Sequence, residues 1–184
     1  MKNSYWHYFI SLEKDFVESM QFVELDPANH LAFSISYAKM LFSACAETEV
    51  VLKGLCDRIS PGGNPGNICQ YRDTILQRYP AFHKIEIQIP RYQMTKKPWD
   101  SWSTRTNPAW WHAYTSVKHN RAASFASANQ GNVIEALAAL FAALLYYYQV
   151  EIDTGIFGPE PSVFDYPSMF PAHLVCQHKL QLPT

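Results

Sequence analysis

A run of alternating small and large apolar side chains near the carboxyl end limits the possible folds more than any other feature. Residues 136–148 read ALAALFAALLYYY, with Glu135 before them and Glu151 after them. The run is shorter than the roughly 20 residues that a bilayer requires, so it predicts a buried helix rather than a membrane span. Alanine lets neighbouring helices approach closely. We therefore predict a central packing helix that begins at Asn132 or Val133 and ends near Ile152.

Three further segments show the spacing of apolar side chains that is typical of amphipathic helices. The first covers residues 4–23, and the second covers residues 31–55 with Phe33 on its inward side. The third covers residues 108–125, where Pro108 suits the first turn and Asn107 is a good N-cap. Four long helices that can pack side by side predict a mainly α fold, an up-down four-helix bundle.

An insert at residues 60–106 separates the second and third long helices. Its loop, SPGGNPGN at 60–67, contains two prolines and three glycines, and a short helix follows at 68–79. From Lys84 to Ile89 charged or polar residues alternate with isoleucine, which predicts a half-buried strand, and residues 92–95 can return as its hairpin partner. We expect one domain at 1–152 and a tail at 153–184.

The aromatic residues of the tail predict a second subunit as partner. It is rich in proline and carries four aromatic residues that we expect to be exposed on the domain surface or packed on a second subunit: Phe157, Phe164, Tyr166 and Phe170. Exposed aromatic side chains commonly mark interfaces, so a homodimer is expected.

The compartment and the cofactor content are predicted from the start of the chain and from its cysteines. The first residues, MKNSYWHYF, contain no apolar signal region. The four cysteines, Cys45, Cys56, Cys69 and Cys176, show no metal-ligand spacing and are expected to be reduced core thiols. These features predict a cytoplasmic protein without membrane attachment, zinc or another cofactor.

Charge is distributed unevenly along the chain, although the formal net charge is only −1. Residues 84–121 carry seven Lys and Arg against two acidic residues, and the segments on either side are acidic. This pattern permits an anionic ligand such as a nucleotide or RNA at one face, but not a general coat on DNA. Pairing of the basic and acidic segments within the molecule explains the pattern equally well.

The candidate site lies on the predicted helix at 108–125, where Lys118, His119 and Arg121 project from less than two turns. Trp111 and Tyr114 precede them on the same helix and are candidates for stacking against a base.

On the second helix, Glu47 and Glu49 lie among apolar and small residues. A carboxylate that faces a core requires a donor, so we expect at least one of them to contact the cations across a helix interface. The simpler alternative is a pair between Glu49 and Lys53, one turn apart.

Three functions fit this set of residues. In an enzyme, His119 would act as general acid or base, Lys118 and Arg121 would stabilise developing negative charge, and Glu47 or Glu49 would orient the imidazole. In a binding module, the same cations would hold a nucleotide or RNA phosphate without turnover. In a structural protein, the set would form a buried polar network. Glycine-rich phosphate loops and metal-ligand spacings are absent from the sequence.

Several segments together resemble a family of uncharacterised bacterial proteins associated with the HEPN (higher eukaryotes and prokaryotes nucleotide-binding) superfamily of helical bundles. They are SISYAKMLFSACAETEVVLKGLC, IPRY, PWDSW, WWHAYTSVKHNR and ALAALFAALLYYY. The resemblance covers most of the chain up to about residue 150. It implies a metal-independent ribonuclease, a dimer in which Arg and His, separated by four to six residues, form a composite site. In such an enzyme His119 is the candidate general acid or base. Arg105 and His112 have that separation, although Arg105 is predicted to lie in the loop before the helix.

Overall fold

The computed structural model describes residues 3–153, 158–166 and 181–184 and shows a mainly helical chain with one small antiparallel sheet. The mainly α class predicted from periodicity is thus confirmed. The helices are α1 (Ser4–Ser19), α2 (Ile35–Ile59), α3 (Ile68–Arg78), α4 (Ala109–His119), α5 (Arg121–Ser124), α6 (Gln130–Tyr147) and α7 (Gln149–Asp153). The strands are β1 (Ile87–Ile89) and β2 (Met94–Lys96).

The alanine-rich helix α6 lies at the centre of the fold, as predicted. Every residue from 136 to 145 is fully buried, and α6 packs along α2, while α1 and α4 each contact both of these helices. By length and composition α6 could cross a membrane, but 78% of it is buried inside the fold. It begins at Gln130 rather than at 132 or 133, because the Asn129 side chain caps it by accepting from the Asn132 N–H. It ends at Tyr147, before the separate short helix α7.

The predicted boundaries of the first two helices are wrong at residues that sequence periodicity does not mark. Helix α2 begins at Ile35 instead of residue 31, since the Ser34 hydroxyl accepts from the Tyr37 N–H at 3.0 Å. Phe33 therefore precedes the helix, pairs with Asn129 in an isolated β-bridge, and is 52% exposed instead of facing inward. Helix α1 ends at Ser19, and residues up to 23 form turns.

The insert contains the predicted loop, short helix and hairpin. Strands β1 and β2 are antiparallel, with Ile87 opposite Lys96. Ile85, Ile87 and Ile89 are all buried, as the alternation predicted. Both strands are displaced from their predicted starts because residues 82–84 and 90–92 form 3-10 turns.

The described part of the tail packs on the domain. The Trp6 indole N–H donates to the Pro159 carbonyl at 2.8 Å, and Gln88 and Asp165 exchange backbone hydrogen bonds of 2.9 and 2.8 Å. Phe164 is only 2% exposed and Tyr166 is half-buried, so the prediction that these rings are free for a partner is wrong. Phe157 and Phe170 lie outside the described residues.

A buried carboxylate on α1 fixes this part of the tail. Glu13 is 2% exposed and accepts hydrogen bonds from the Ser162 N–H and hydroxyl, the Val163 N–H and the Phe164 N–H, at 2.8, 3.1, 2.7 and 3.2 Å. Four donors around one carboxylate satisfy its acceptor capacity, which is the condition for burying a charge at acceptable cost.

Candidate functional site

The start of α4 is not capped as the sequence predicted. The helix begins at Ala109, directly after Pro108, and no side chain caps it. The Asn107 side chain, predicted to cap it, instead accepts a weak hydrogen bond from the Cys69 thiol, with 3.7 Å between Sγ and Oδ1. Asn107 thus links the start of α4 to α3.

The helix predicted at 108–125 is interrupted at Asn120. The Asn120 N–H closes α4 by donating to the Ser116 carbonyl at 2.8 Å, but the backbone then leaves the helical region (φ −145°, ψ 65°). A second, short helix, α5, begins at Arg121 and ends at Ser124. Asparagine favours helix ends because its side chain competes for backbone hydrogen bonds. The prediction of one continuous helix is wrong at this residue, although the Asn120 side chain makes no capping hydrogen bond.

Two cations of the candidate site lie over an aromatic pair. The Lys118 Nζ atom donates to the Tyr114 hydroxyl at 3.3 Å and lies 5.3 Å from the centroid of its ring. The Arg121 Cζ atom lies 5.8 Å from the centroid of the Phe42 ring. The rings of Phe42 and Tyr114 contact each other edge to face, with centroids 5.7 Å apart. Attraction between cations and ring faces therefore positions both charges beside α2.

We call Lys118, His119 and Arg121 the cationic surface, because all three are exposed. Among the described residues, the ion pairs within 4.0 Å involve other cations: Arg58, Arg72, Lys96, Lys97 and Arg105. No acid therefore neutralises the cationic surface in the described part of the chain. The interpretation as a buried polar network is wrong, since the three side chains are in contact with solvent.

His119 projects away from the aromatic pair. It lies five residues after Tyr114, about 140° around the helix, and shares the solvent face of α4 with His112 and Ser116. In the described residues no carboxylate pairs with the His119 imidazole. A general acid or base is normally oriented by such a partner, so the ribonuclease interpretation gains no support from this geometry.

Glu47 and Glu49 do not meet the cationic surface. Both are partly buried, and neither belongs to an ion pair within the described chain, so the alternative pair between Glu49 and Lys53 is not formed either. Glu49 lies close enough to Tyr71 of α3 to help raise that tyrosine's pKa, after the larger effect of burial.

Glu47 faces a different side of α2. It lies seven residues after Met40, on the side of α2 that faces α1, about 140° from Phe42. Burial raises the pKa of its carboxyl.

The two aromatic residues proposed to stack on a base are both in the core. Trp111 is 8% exposed and Tyr114 is 6% exposed. Trp111 packs edge to face against Trp110, whose indole N–H donates to the Pro98 carbonyl at 2.9 Å. Their predicted stacking role is wrong, because an incoming base has no access to ring faces that the fold covers.

Arg105 lies in the loop before α4, as predicted, and its guanidinium is engaged elsewhere. Its backbone is left-handed (φ 60°), and its Nη2 atom lies 3.0 Å from the Asp73 Oδ1 atom on α3. The buried Arg72 side chain donates to the Arg105 carbonyl. The structure thus places Arg105 against α3, while His112 is exposed on the first turns of α4.

The three cysteines that the structure describes form no cluster. Cys45 and Cys56 are free and buried, and burial raises the pKa of the Cys56 thiol to about 11. Cys69 is free but exposed, so it is not the core thiol that we expected, and Cys176 lies outside the described residues. In the described chain no three His, Cys, Asp or Glu side chains lie together as metal ligands would.

Sequence reasoning missed the apolar side of the site. Phe42 lies under Arg121, and Phe33 contacts Phe125 edge to face with ring centroids 5.6 Å apart. The available signal was on α2: Ile35 and Phe42 are seven residues apart, hence on one side of the helix. The apolar side of α2 is therefore wider than the core alone requires.

Comparison with known proteins adds no assignment: no family model matches the chain, and no curated protein or solved structure matches it.

Proposed function

We propose that this chain is a binding module that takes the phosphate group of a nucleotide or of RNA at the cationic surface. Helices α1, α2, α4 and α6 are proposed to form an up-down bundle of the HEPN kind, with the insert at 60–106 between α2 and α4. No turnover is required of the module, and ribonuclease activity remains the alternative prediction from the resemblance.

The observation that carries the proposal is the absence of a neutralising acid at two positioned cations. Lys118 and Arg121 lie next to the rings of Tyr114 and Phe42, and among the described residues neither has a carboxylate within 4.0 Å. Five other cations of the described chain are paired with an acid, for example Lys96 with Glu135, 3.1 Å apart. Arg78 and Arg91 are also unpaired and lie near a ring, but Lys118 and Arg121 are three residues apart and lie over two rings that contact each other. Exposed cations that are held in place and left unpaired favour an anionic partner.

An accessible aromatic ring beside the cations supports a ligand that also carries a base. Phe33 is 52% exposed and packs on Phe125, four residues after Arg121. It supplies the ring face that the buried Trp111 and Tyr114 do not. Stacking on an aromatic side chain is worth roughly 1–3 kcal/mol per base and tolerates any sequence.

The test is a salt series of binding measurements. Fluorescence anisotropy of a fluorescein-labelled oligouridine would be recorded from about 20 to 200 mM salt with the wild type and with Lys118→Ala/Arg121→Ala. Each phosphate contact contributes about −0.7 to the slope of log K against log salt for a single strand. We expect the double variant to reduce the slope by about 1.4.

The matched control is Lys14→Ala/Lys53→Ala. It also removes two exposed cations, from α1 and α2, and so leaves the same net charge as the first variant. The control should bind like the wild type. An equal reduction of the slope in both double variants would mean a non-specific effect of net charge. An unchanged slope in the first double would mean that its cations only offset the dipole at the end of α4.

A further inference from the structure

A groove with a volume of about 470 Å³ lies between α1 and α2. Its lining includes three buried side chains that form an apolar floor, those of Leu12, Tyr37 and Met40. Its two sides are formed by residues 12–19 of α1 and by residues 34–43 at the start of α2. At 1.5 Å per residue the groove is about 14 Å long, which is the length of roughly nine residues of helix.

One end of the groove carries an uncovered aromatic ring. The chain turns after α1, where the N–H groups of Phe22 and Val23 both donate to the Ser19 carbonyl, at 3.1 and 3.2 Å. The turn places Phe22 in the wall of the groove, although the residue is 86% exposed. Aromatic side chains in this position commonly anchor a partner, because they bury a large apolar area on binding. The groove is thus open to an apolar partner at this end.

The two rims of the groove differ in charge. Asp15 and Glu18 are exposed on the α1 rim, three residues apart and hence on one side of the helix. The α2 rim carries Ser36, Lys39 and Ser43, and Lys39 is the one cation among the described lining residues. None of these three charges belongs to an ion pair within the described chain. The α1 rim is therefore an uncompensated acidic edge beside an apolar floor.

The shape of the groove favours an elongated occupant. Sites for small molecules usually enclose most of the ligand surface, whereas this groove has two neighbouring helices as its sides and is open to solvent between them. A third helix laid along two packed helices is the arrangement found in helical bundles. Amphipathic helices of partner proteins bind hydrophobic grooves in the same way.

We propose that this groove binds an amphipathic helix of a partner protein, with apolar side chains on the floor and basic side chains against Asp15 and Glu18. The basic side chains lie on the flank next to α1, because Lys39 repels them on the other flank. The occupant is therefore a helix with an apolar stripe, Lys or Arg along one flank, and uncharged or acidic residues along the other. Charge on the two rims sets both its identity and its direction.

The groove is separate from the proposed phosphate site. Met40 in its floor and Phe42 beneath Arg121 are two residues apart on α2, which places them about 160° apart around the helix. A helix in the groove and a phosphate on the cationic surface consequently contact different sides of α2. The two proposals can be tested independently.

The probe is a synthetic, fluorescein-labelled peptide with leucine along one stripe, lysine on one flank and glutamine on the other. It has about 14 residues and a side-chain crosslink, since an uncrosslinked peptide of this length is only marginally helical in water. A second peptide carries glutamate in place of lysine. Fluorescence anisotropy at low salt should show that the wild type binds the lysine peptide at least about tenfold more tightly, because glutamate places like charges on the α1 rim. Equal affinity for the two peptides would overturn the proposal.

Charge reversal on the rim tests where the peptide binds. Asp15→Lys/Glu18→Lys should reverse the preference, so that the glutamate peptide binds more tightly than the lysine peptide. The matched control, Asp57→Lys/Glu160→Lys, also replaces two exposed acids by lysine and gives the same net charge. It should keep the preference of the wild type. The same reversal in both double variants would mean attraction to net charge and would refute the site.

The apolar contact is tested by Phe22→Ala. It should weaken binding of the lysine peptide about tenfold, the effect of losing one anchor side chain. Val150→Ala changes another exposed apolar residue, 72% exposed on α7, and should bind like the wild type. Both variants should keep the wild-type Tm, because exposed side chains contribute little to stability. Unchanged affinity in Phe22→Ala would contradict the proposed placement of the helix.

Other occupants give different results. Binding of spermidine in the absence of binding of the lysine peptide would make the groove a small-cation site, and the proposal would be wrong. Dimers of the wild type that Phe22→Ala abolishes, with no binding of the peptide, would assign the groove to a second copy and would equally refute it. Lys118→Ala/Arg121→Ala should leave the affinity for the lysine peptide unchanged, so that failure of oligouridine binding and failure of peptide binding are distinguishable.

Discussion

Replacing Glu13 with alanine removes the acceptor of four hydrogen bonds and leaves three backbone N–H groups in the tail, those of 162, 163 and 164, without their partner. The carboxylate is 2% exposed, and the Val163 and Phe164 side chains beside it are also buried. The perturbation therefore acts on the contact between α1 and the tail.

The expected cost follows from those contacts. A buried donor left unpaired costs about 1–3 kcal/mol, and breaking a buried charged contact by removing one partner costs about 3–5 kcal/mol. Because water can reach some of the freed N–H groups, the lower part of the summed range applies. We expect Glu13→Ala to lower the free energy of unfolding by about 3–5 kcal/mol. For a chain of this length that corresponds to a fall in Tm of roughly 10 °C.

Urea unfolding followed by circular dichroism measures this loss. Glu18→Ala, an exposed carboxylate on the same helix, should change stability by less than about 0.5 kcal/mol. Limited proteolysis should also cut Glu13→Ala between 158 and 166 sooner than wild type, since the tail contact is weakened. A loss below 1 kcal/mol for Glu13→Ala would refute the view that this carboxylate fixes the tail.

Three further predictions concern titration and packing. Burial raises the pKa of Tyr148 to about 12, so the folded state keeps a proton that the unfolded state loses between about pH 10 and 12. The Tm should therefore fall as pH rises through this interval. The fall should be smaller in Tyr148→Phe. Burial lowers the pKa of His30 below 6.5, so the unfolded state takes up a proton first as pH falls. The Tm should therefore decrease below pH 6.5. The decrease should be smaller in His30→Gln. A Cβ at Gly54 would lie 3.0 Å from Cε2 of Tyr147, whose ring centroid is 3.6 Å from the Arg58 guanidinium carbon. Gly54→Ala should thus cost about 1 kcal/mol net in urea unfolding, despite the better helix propensity of alanine, and a stabilised variant would contradict this.

The helices were predictable because periodic apolar side chains report burial, and burial decides where helices pack. Their ends were not, because single polar side chains set them. Ser34 starts α2 and Asn129 starts α6 through hydrogen bonds to backbone N–H groups. Both residues are common in loops, and periodicity gives no reason to prefer them over neighbouring polar residues.

Whether a charged residue is paired or unpaired depends on tertiary contacts, which a local sequence pattern does not contain. Glu13 follows Leu12 on an apolar helix face, but its donors are about 150 residues away in the tail. Arg105 is paired because α3 brings Asp73 to it, whereas the contact that α2 makes with Arg121 is through the Phe42 ring. Spacing alone does not distinguish these outcomes.

The interruption at Asn120 explains why the candidate site combines two kinds of surface. In a continuous helix Arg121 and Phe125 would extend the stripe of Tyr114 outward by about 1.5 Å per residue. The break instead turns residues 121–127 across the start of α2, where Arg121 reaches Phe42 and Phe125 reaches Phe33. Cations from one segment and apolar side chains from another are thereby joined over α2. A phosphate ligand that contacts Arg121 consequently meets the segment 121–127, whose Phe125 ring packs against Phe33.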